Sequence, residues 1–451
     1  MMILDTIVAP ATNIAQQALA IIRISGSDSF SIINKLLKKP VKRVRQVNFR
    51  DLYWKGQLLD QVVITCFIAP SSFTGEDVIE INCHGGILVT NKILTTLINS
   101  GARMALPGEF SQRAFLNDKI SLIQAEAINE LIVAKNEFAS DLALRNMSTK
   151  NNLGFDKIKN LLMDIISRIQ TSIDYPEYDD IEGSSDQELN LALESLITMV
   201  SKAIFRSNLA NKSVSGIKTA IIGETNVGKS SILNCLLNED KALVSNVPGT
   251  TRDLVEGQIS FNNITLELID TAGIRNTKDF IESAGIEKTF QILAKADLLI
   301  HVFDSNSFDY QIEEKLLSAL ENKTVVKVFN KSETLTSDRK KQIVKKYPEA
   351  VFCSALNNDV EQLLDKIQSK YNVGDILKSD DLVISNINQI SLLKNIENKL
   401  KIAYNNFKLG FTADIINLDL YEAWTDLNNL IGESYEEEII DNIFRKYCLG
   451  K

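Results

Sequence analysis

The stretch Gly223-Glu-Thr-Asn-Val-Gly-Lys-Ser230 fits the pattern G-x-x-x-x-G-K-[ST]. Its context matters more than its letters. The strand candidate Thr219–Ile222 precedes it and the helix candidate Ser230–Leu237 follows. In that setting each part has a physical task. The glycines let backbone N–H groups curl around phosphate oxygens, and the start of the next helix adds partial positive charge. The Lys229 ammonium can neutralise β- and γ-phosphates, and the Ser230 hydroxyl can hold Mg2+.

Downstream, the strand candidates Ile264–Ile269, Asp297–Phe303, Thr324–Phe329 and Ala350–Cys353 alternate with helical stretches. Such alternation predicts a doubly wound, mostly parallel sheet with both faces covered. Asp270-Thr271-Ala272-Gly273 closes the second of these strands, counting from Thr219. A carboxylate there can bind Mg2+ through water, and the Gly273 N–H can meet a γ-phosphate. Asn330-Lys331-Ser-Glu333 follows TVVKVF, and Ser354-Ala355 follows AVFC. These four elements in this order resemble the translation-factor class of P-loop GTPases, so GTP is the expected nucleotide. The guanine-reading motif usually ends in Asp; here Glu333 keeps the charge on a longer arm. Two readings stay open, a tolerated variant and a weakened guanine selectivity, because bidentate pairing is geometrically strict. Ile274 stands where Ras-like enzymes carry a water-orienting Gln. Hydrolysis therefore needs another water-positioning group and a positive charge, for which Arg275 is a candidate finger or a plain surface residue.

Around this core the pattern differs. Residues 1–118 mix the β-rich runs Ile3–Ala9, Leu19–Ile24, Val62–Ile68 and Val78–Cys83 with one or two helices, an α+β pattern. From 119 to 212 the chain reads as helical, with Ile120, Ile123, Ala127, Leu131 and Ala134 spaced as a buried stripe. The segment DYPEYDDIEG, 174–183, breaks it as an exposed connection. Helical periodicity returns after about 374. The expectation is an α/β domain, 213–373, inserted between two segments of a helical domain, 119–212 and 374–451.

The 451 residues suit about three domains. A formal net charge of −9 argues against a basic glove for nucleic acid, so any such contact needs a local basic patch or a shared partner. His84 and His301 are the only histidines, too few for a three-His metal site. Cys66, Cys83, Cys235, Cys353 and Cys448 form no C-x-x-C pair, which suggests reduced thiols, with Cys66, Cys235 and Cys353 as small buried hydrophobes. No apolar run reaches the roughly 18–20 residues of a membrane span, and the N-terminus does not read as a signal peptide. A cytoplasmic location is expected.

Longer signatures then carry a family resemblance. They are Asp5-Thr6-Ile7-Val8-Ala9, Ile22-Arg23-Ile24-Ser25-Gly26, Phe73-Thr74-Gly75-Glu76-Asp77-Val78-Ile79-Glu80 and His84-Gly85-Gly86. Pro107 through Asn117, Gly249-Thr250-Thr251-Arg252-Asp253, Asp270 through Arg275 and Tyr447-Cys448-Leu449-Gly450-Lys451 complete the set. With them the chain resembles the MnmE (TrmE) family of tRNA-modification GTPases over nearly its whole length. The resemblance implies an N-terminal folate-binding and dimerising domain, the discontinuous helical domain and the inserted GTPase domain. It implies nucleotide contacts at Asn226, Val227, Gly228, Lys229, Ser230, Ser231, Asp270, Thr271, Ala272, Gly273, Asn330, Lys331, Glu333, Ser354 and Ala355. Mg2+ falls to Ser230 and Thr251. K+, in place of an arginine finger, falls to Asn226 and the loop Ser245-Asn246-Val247-Pro248-Gly249-Thr250, mainly through backbone oxygens such as those of Ser245, Val247 and Thr250. Lys229 and Glu282 become catalytic, Glu282 orienting the attacking water. Arg23, Glu80, Lys119 and Lys451 fall on positions that contact 5-formyl- or 5,10-methylene-tetrahydrofolate, and Cys448 on a cysteine implicated in the modification. The implied partners are a second copy, an FAD-dependent MnmG-type subunit (a heterotetramer) and tRNA, with no membrane.

The chain also departs from the family pattern. Asn13-Ile-Ala-Gln-Gln-Ala18 stands where a Pro/Gly-rich turn is usual, Ser121 replaces an Asp, and Asp419–Gly432 is rich in Asn. A regulatory or ribosome-assembly GTPase switch without modification chemistry is the alternative function.

Overall fold

The computed structural model describes residues 5–148, 152–174, 186–224, 226–238, 243–245, 255–261, 263–269, 296–306, 323–371, 374, 376–378, 381–432, 444, 447 and 450. The chain divides into two compact units, 1–129 with 425–451, and 130–424.

The first unit is built on a six-stranded sheet. Its strands are β1 (Ile7–Pro10), β2 (Leu19–Ser25), β3 (Gln46–Trp54), β4 (Gln57–Phe67), β5 (Val78–His84) and β6 (Arg103–Met104), in the order β3-β4-β5-β2-β1-β6. All pairs are antiparallel except β1 with β6. Strands β2 and β5 alternate because one face takes the main apolar core, whereas a smaller cluster of Ile7, Ala9, Ala105 and Phe110 sits on the other. Ile22, Ile24, Ile79 and Ile81 point into a core shared with Ile93, Leu94 and Leu97 of helix Ile87–Asn99. Arg23 and Glu80 point to that other face, half-buried and directly opposite each other in register.

The second unit holds a seven-stranded sheet: β7 (Ile217–Ile222), β8 (Leu243–Ser245), β9 (Val255–Phe261), β10 (Ile264–Ile269), β11 (Leu298–Asp304), β12 (Thr324–Asn330) and β13 (Val351–Phe352). The order is β13-β12-β11-β7-β10-β9-β8. The run from β13 to β10 is parallel, and β9 and β8 extend it antiparallel. Both faces are packed: Ile217 and Ile221 join one core with Leu236, Leu363 and Ile367, whereas Ala220 and Ile222 join another with Ala296 and Leu299. Double coverage explains why β11 reads as a nearly unbroken apolar run. The same geometry puts the C-terminal ends of β7, β11 and β12 side by side, where such sheets bind ligands.

Helices on either side of the α/β segment in sequence pack on each other. Asp186–Ser215 buries Leu193, Leu196 and Val200, and Ile387–Lys408 buries Leu393, Ile396 and Leu400. Ser201 donates to Glu397 and Tyr404 to Glu194 between these two helices. The helical layer is thus made from chain segments that the α/β region interrupts. The stripe expected from Ile120 to Ala134 is shorter: helix Leu122–Val133 buries Ile123 and Ala127, while Leu131 is half-buried and Ala134 lies past the helix end.

Candidate nucleotide site

The loop between β7 and helix Lys229–Asn238 has the turns its sequence demands. Gly223 has φ 148°, and a Cβ there would lie 2.2 Å from the Val302 carbonyl oxygen of β11. Gly228 has φ 97°, and its Cβ would lie 2.1 Å from Asn330 Nδ2. Both positions therefore exclude a side chain on two grounds, conformation and space. Asn226 takes the left-handed region as well, with φ 65°. Val227 is buried, anchoring the loop, while Asn226, Ser230 and Ser231 are exposed around it. Lys229 Nζ donates to the carbonyls of Gly223, at 2.8 Å, and Glu224. Burial pulls the Lys229 pKa down, opposed by the Glu224 charge. A lysine held in a concave ring of backbone, at a helix start, is a receptor for phosphate.

Asn330 connects three loops. Its Nδ2 donates to the Val227 carbonyl at 2.9 Å, and its Oδ1 accepts from the Ala355 N–H at 3.1 Å. Ser305 donates to its carbonyl. The residue is 2% exposed, so these bonds are made out of water and losing one leaves a buried polar group unpaired. Lys331 sits at φ 63° and its Nζ meets Asp304 Oδ2 at 2.6 Å. Burial works against the charge of Asp304, but the hydrogen bond from Lys331 and the Asn306 N–H hold it below the usual carboxylate range. Asp304 is a site residue that the motif reading missed, although an Asp closing a strand beside the phosphate loop was a signal. Glu333 lies exposed on the short turn Ser332–Thr334. Ser354 is buried and exchanges both backbone bonds with Asp359, 3.1 and 2.9 Å, which fixes Ala355 beside Asn330. The structure thus gathers Asn226, Val227, Gly228, Lys229, Ser230, Ser231, Asn330, Lys331, Ser354 and Ala355 at one end of the sheet.

Ser245 ends β8, and nothing beyond its strand assignment is described. Asn246, Val247, Pro248, Gly249, Thr250, Thr251, Asp270, Thr271, Ala272, Gly273, Ile274, Arg275, Glu282, Cys448 and Lys451 lie outside the described residues.

In the first unit, Arg23 Nη2 meets Glu80 Oε1 at 2.8 Å and Nε meets it at 3.0 Å. Arg23 Nη1 donates to the Gly450 carbonyl at 3.2 Å. Gly450, at φ 90°, packs so closely on Pro10 that a Cβ would lie 2.1 Å from its carbonyl oxygen. The Phe73 and Phe110 ring centres lie 6.0 and 5.7 Å from the guanidinium carbon. Lys119 is exposed, and its stem lies against Gly75.

The remaining signature residues have a different task. Arg113, 2% exposed, binds Asp5 at 2.7 Å, Glu109 at 3.0 Å and Glu76 at 3.1 Å, and Arg103 binds Asp5 and Glu109 from the other side. The Arg103 and Arg113 hydrogen bonds hold Asp5 below its ordinary range against the opposing effect of burial. Burial also opposes ionisation of Glu109, and Arg103 and the Leu106 N–H overcome it. His84, exposed, is oriented by Asp60, which accepts from its N–H at 2.9 Å and lies 2.6 Å from its Nδ1. His301 is buried and its pKa falls to about 3, chiefly through desolvation. Burial pushes Cys66 and Cys83 up to about 11 and Cys353 to about 12, which makes them inert thiols at neutral pH. Among the described residues no helix is long and apolar enough to cross a membrane, and no cluster of His, Cys, Asp and Glu could hold a metal ion.

Comparison with known proteins identifies the family. A family model described as the MnmE helical domain matches residues 122–448, and one described as the N-terminus of GTP-binding protein TrmE matches 6–119. The tRNA modification GTPase MnmE of Mycoplasma mycoides subsp. mycoides SC is 54% identical over 452 residues, covering 100% of both chains. That of Mesoplasma florum is 52% identical over 447 residues, covering 99% of each. Among solved structures, the G domain of the T. maritima FeoB iron transporter covers 35% of this chain and 98% of its own at 27% identity, with a TM-score of 0.25. Two family models and full-length relatives at this identity place the chain in the MnmE (TrmE) family of tRNA modification GTPases.

Proposed function

We propose that this chain hydrolyses GTP to drive modification of the wobble uridine of certain tRNAs, adding a carboxymethylaminomethyl group at C5. In this reading it is a homodimer that works in a heterotetramer with an FAD-dependent partner of the MnmG type. The domain plan is 1–118 for folate binding and dimerisation, 213–373 for GTP, and 119–212 with 374–451 for the helical support. The observation that carries the nucleotide reading is the pair of hydrogen bonds made by the Asn330 side chain, which tie the phosphate loop at Val227 to Ala355.

The donor chemistry suits the ions in the proposal. Ser230 offers an exposed hydroxyl in the first turn of its helix, a hard oxygen for Mg2+. Asn226 offers an exposed carboxamide on a left-handed turn, an oxygen suited to K+ beside phosphates. Thr251 completes the Mg2+ set, and Ser245, Val247 and Thr250 the K+ set. Bound there, the cations would supply the positive charge that an arginine finger supplies elsewhere. Lys229 holds the β- and γ-phosphates, Gly273 meets the γ-phosphate, and Glu282 orients water in place of the Gln that Ile274 cannot imitate. Glu333 reads the guanine edge.

On the face of the six-stranded sheet away from its main core, Glu80 presents a carboxylate and Arg23 a guanidinium, flanked by Phe73 and Phe110. A polar edge beside rings suits a pterin, and Lys119 and Lys451 would meet the glutamate tail. Tetrahydrofolate, as 5-formyl or 5,10-methylene donor, would supply one carbon, and Cys448 would act in the modification.

Mass analysis of wobble uridines from cells with and without the chain tests the reading. Loss of the modified uridine is expected, and an unchanged spectrum would leave a GTPase switch instead. GTP turnover should be faster in K+ than in Na+; equal rates would remove K+ from the mechanism.

A further inference from the structure

The helix Ser337–Lys346, SDRKKQIVKK, carries Arg339, Lys340, Lys341, Lys345 and Lys346 against Asp338 alone. That excess sits in a chain with a formal net charge of −9. Helical spacing puts buried Ile343 on the inner side and Lys341 and Lys345, four residues apart, on the side away from it. Like charges at that spacing repel, so the pair does nothing for the helix itself. Lys340, Lys341, Lys345 and Lys346 are exposed, and among the described residues no carboxylate pairs with Lys340, Lys341 or Lys345. The next helix, Glu361–Lys370, contrasts with this: Glu349 neutralises its Lys366 and Lys370, at 3.5 and 2.9 Å.

The surroundings narrow the ligand. Apart from Ile343 and a part-exposed Val344 the helix is polar all round, so it lacks the apolar face of a membrane-surface helix. Its lysines are compact point charges without the planar fork of arginine, which suits phosphates and not base edges. Lys340 lies over the Phe352 ring at 4.9 Å, which steadies its stem against the domain. The helix follows directly on the Asn330–Thr334 loop, with Thr336 as its cap, so a polyanion on it lies close in sequence and space to the base-reading turn.

We propose that helix Ser337–Lys346 is a phosphodiester-binding surface that docks the tRNA backbone, without reading its sequence. The inference rests on the tRNA reading above and gives that substrate a point of contact on an otherwise acidic chain.

The test uses the full chain and an unmodified tRNA transcript with uridine at the wobble position. Binding is followed by fluorescence anisotropy across a salt series, for wild type, for K341E/K345E and for a control pair elsewhere, K92E/K394E. Each lysine on a phosphate adds about one to the slope of log affinity against log salt. The K341E/K345E pair should lower that slope by about two and weaken binding by about tenfold or more at low salt, with RNA-free GTP turnover unchanged. The neutral pair K341Q/K345Q should show the same slope change with a smaller loss. Equal slopes for wild type and variant, the same loss in the control pair, or loss of partner-protein binding with tRNA binding intact would each overturn the proposal. A wild type that shows the slope effect but supports no wobble modification would overturn the proposed function and leave this contact standing.

Discussion

In the seven-stranded sheet, the motif residues stand at strand ends, turned outward by Gly223, Asn226, Gly228 and Lys331 at positive φ and stitched by Asn330. In the six-stranded sheet, signature residues divide. Arg23 and Glu80 stand half-buried on the face away from the main core, whereas Asp5, Glu76, Glu109 and Arg113 close on one another around a side chain that is 2% exposed. The difference shows that a long charged signature is not by itself a binding signature. In one sheet the backbone shapes a receptor; in the other, charge holds elements together that lie far apart in sequence.

Arg113→Met is the strongest way to break that contrast. It removes the cation from three carboxylates and should cost the N-terminal unit about 3–5 kcal/mol, the range for breaking a buried pair. Urea unfolding followed by circular dichroism would measure it. A shift no larger than for a surface arginine would mean that the network is ornamental.

Gly228→Ala probes the other side. At φ 97°, with a Cβ 2.1 Å from Asn330 Nδ2, the loop must move or Asn330 must let go. The expected loss is about 3 kcal/mol of GTP affinity, roughly a hundredfold, with the N-terminal unit as stable as before. Titration calorimetry with GTP would show it.

Acid sharpens the comparison further. Asp5 and Glu109 have folded-state pKa values below their unfolded ones. Their contribution is therefore present above the unfolded values and is lost as pH falls through the folded ones. The N-terminal unit should resist mild acid and give way below the ordinary carboxylate range, and Arg113→Met should move that loss to higher pH. Circular dichroism across an acid series measures both curves.

The smallest effect is expected at Glu333. Its exposed position leaves room for the backbone to adjust, so Glu333→Asp should change the GTP-over-ATP preference by only about threefold, less than one hydrogen bond. Competition binding with both nucleotides checks this. A large gain in selectivity would show that the longer arm had relaxed base reading.

The parts of the fold legible from sequence were those whose residues report their own environment. Ile264–Ile269 and Thr324–Asn330 read as strands because β-branched and other apolar residues fill most of their positions, with polar breaks at Thr265, Glu267 and Lys327. Strand Val255–Phe261 escaped notice because Gly257, Gln258 and Ser260 interrupt its apolar residues, and Gln46–Trp54 because Val47 and Phe49 alternate with polar residues on an edge strand. The phosphate loop was legible because its glycines are required by local geometry. The Arg113 network was not, since Asp5 and Glu76 reach it across 108 and 37 residues and no local pattern links them. Nor did any motif forecast that Asn330 would tie the phosphate loop at Val227 to Ala355.

The interrupted helical layer has a further consequence, for the order of synthesis. Asp186–Ser215 leaves the ribosome well before Ile387–Lys408, the helix it packs against and meets through Ser201 and Glu194. At about 5–20 residues per second, the intervening stretch takes roughly 10–35 s to emerge. Over that interval the earlier helix lacks one of its final partners, while the inserted sheet can fold at once from contacts of its own. Newborn chains therefore pass through a stage with a finished GTP-binding core beside a helix not yet fully covered, a stage at which chaperone demand is set by the position of an insertion.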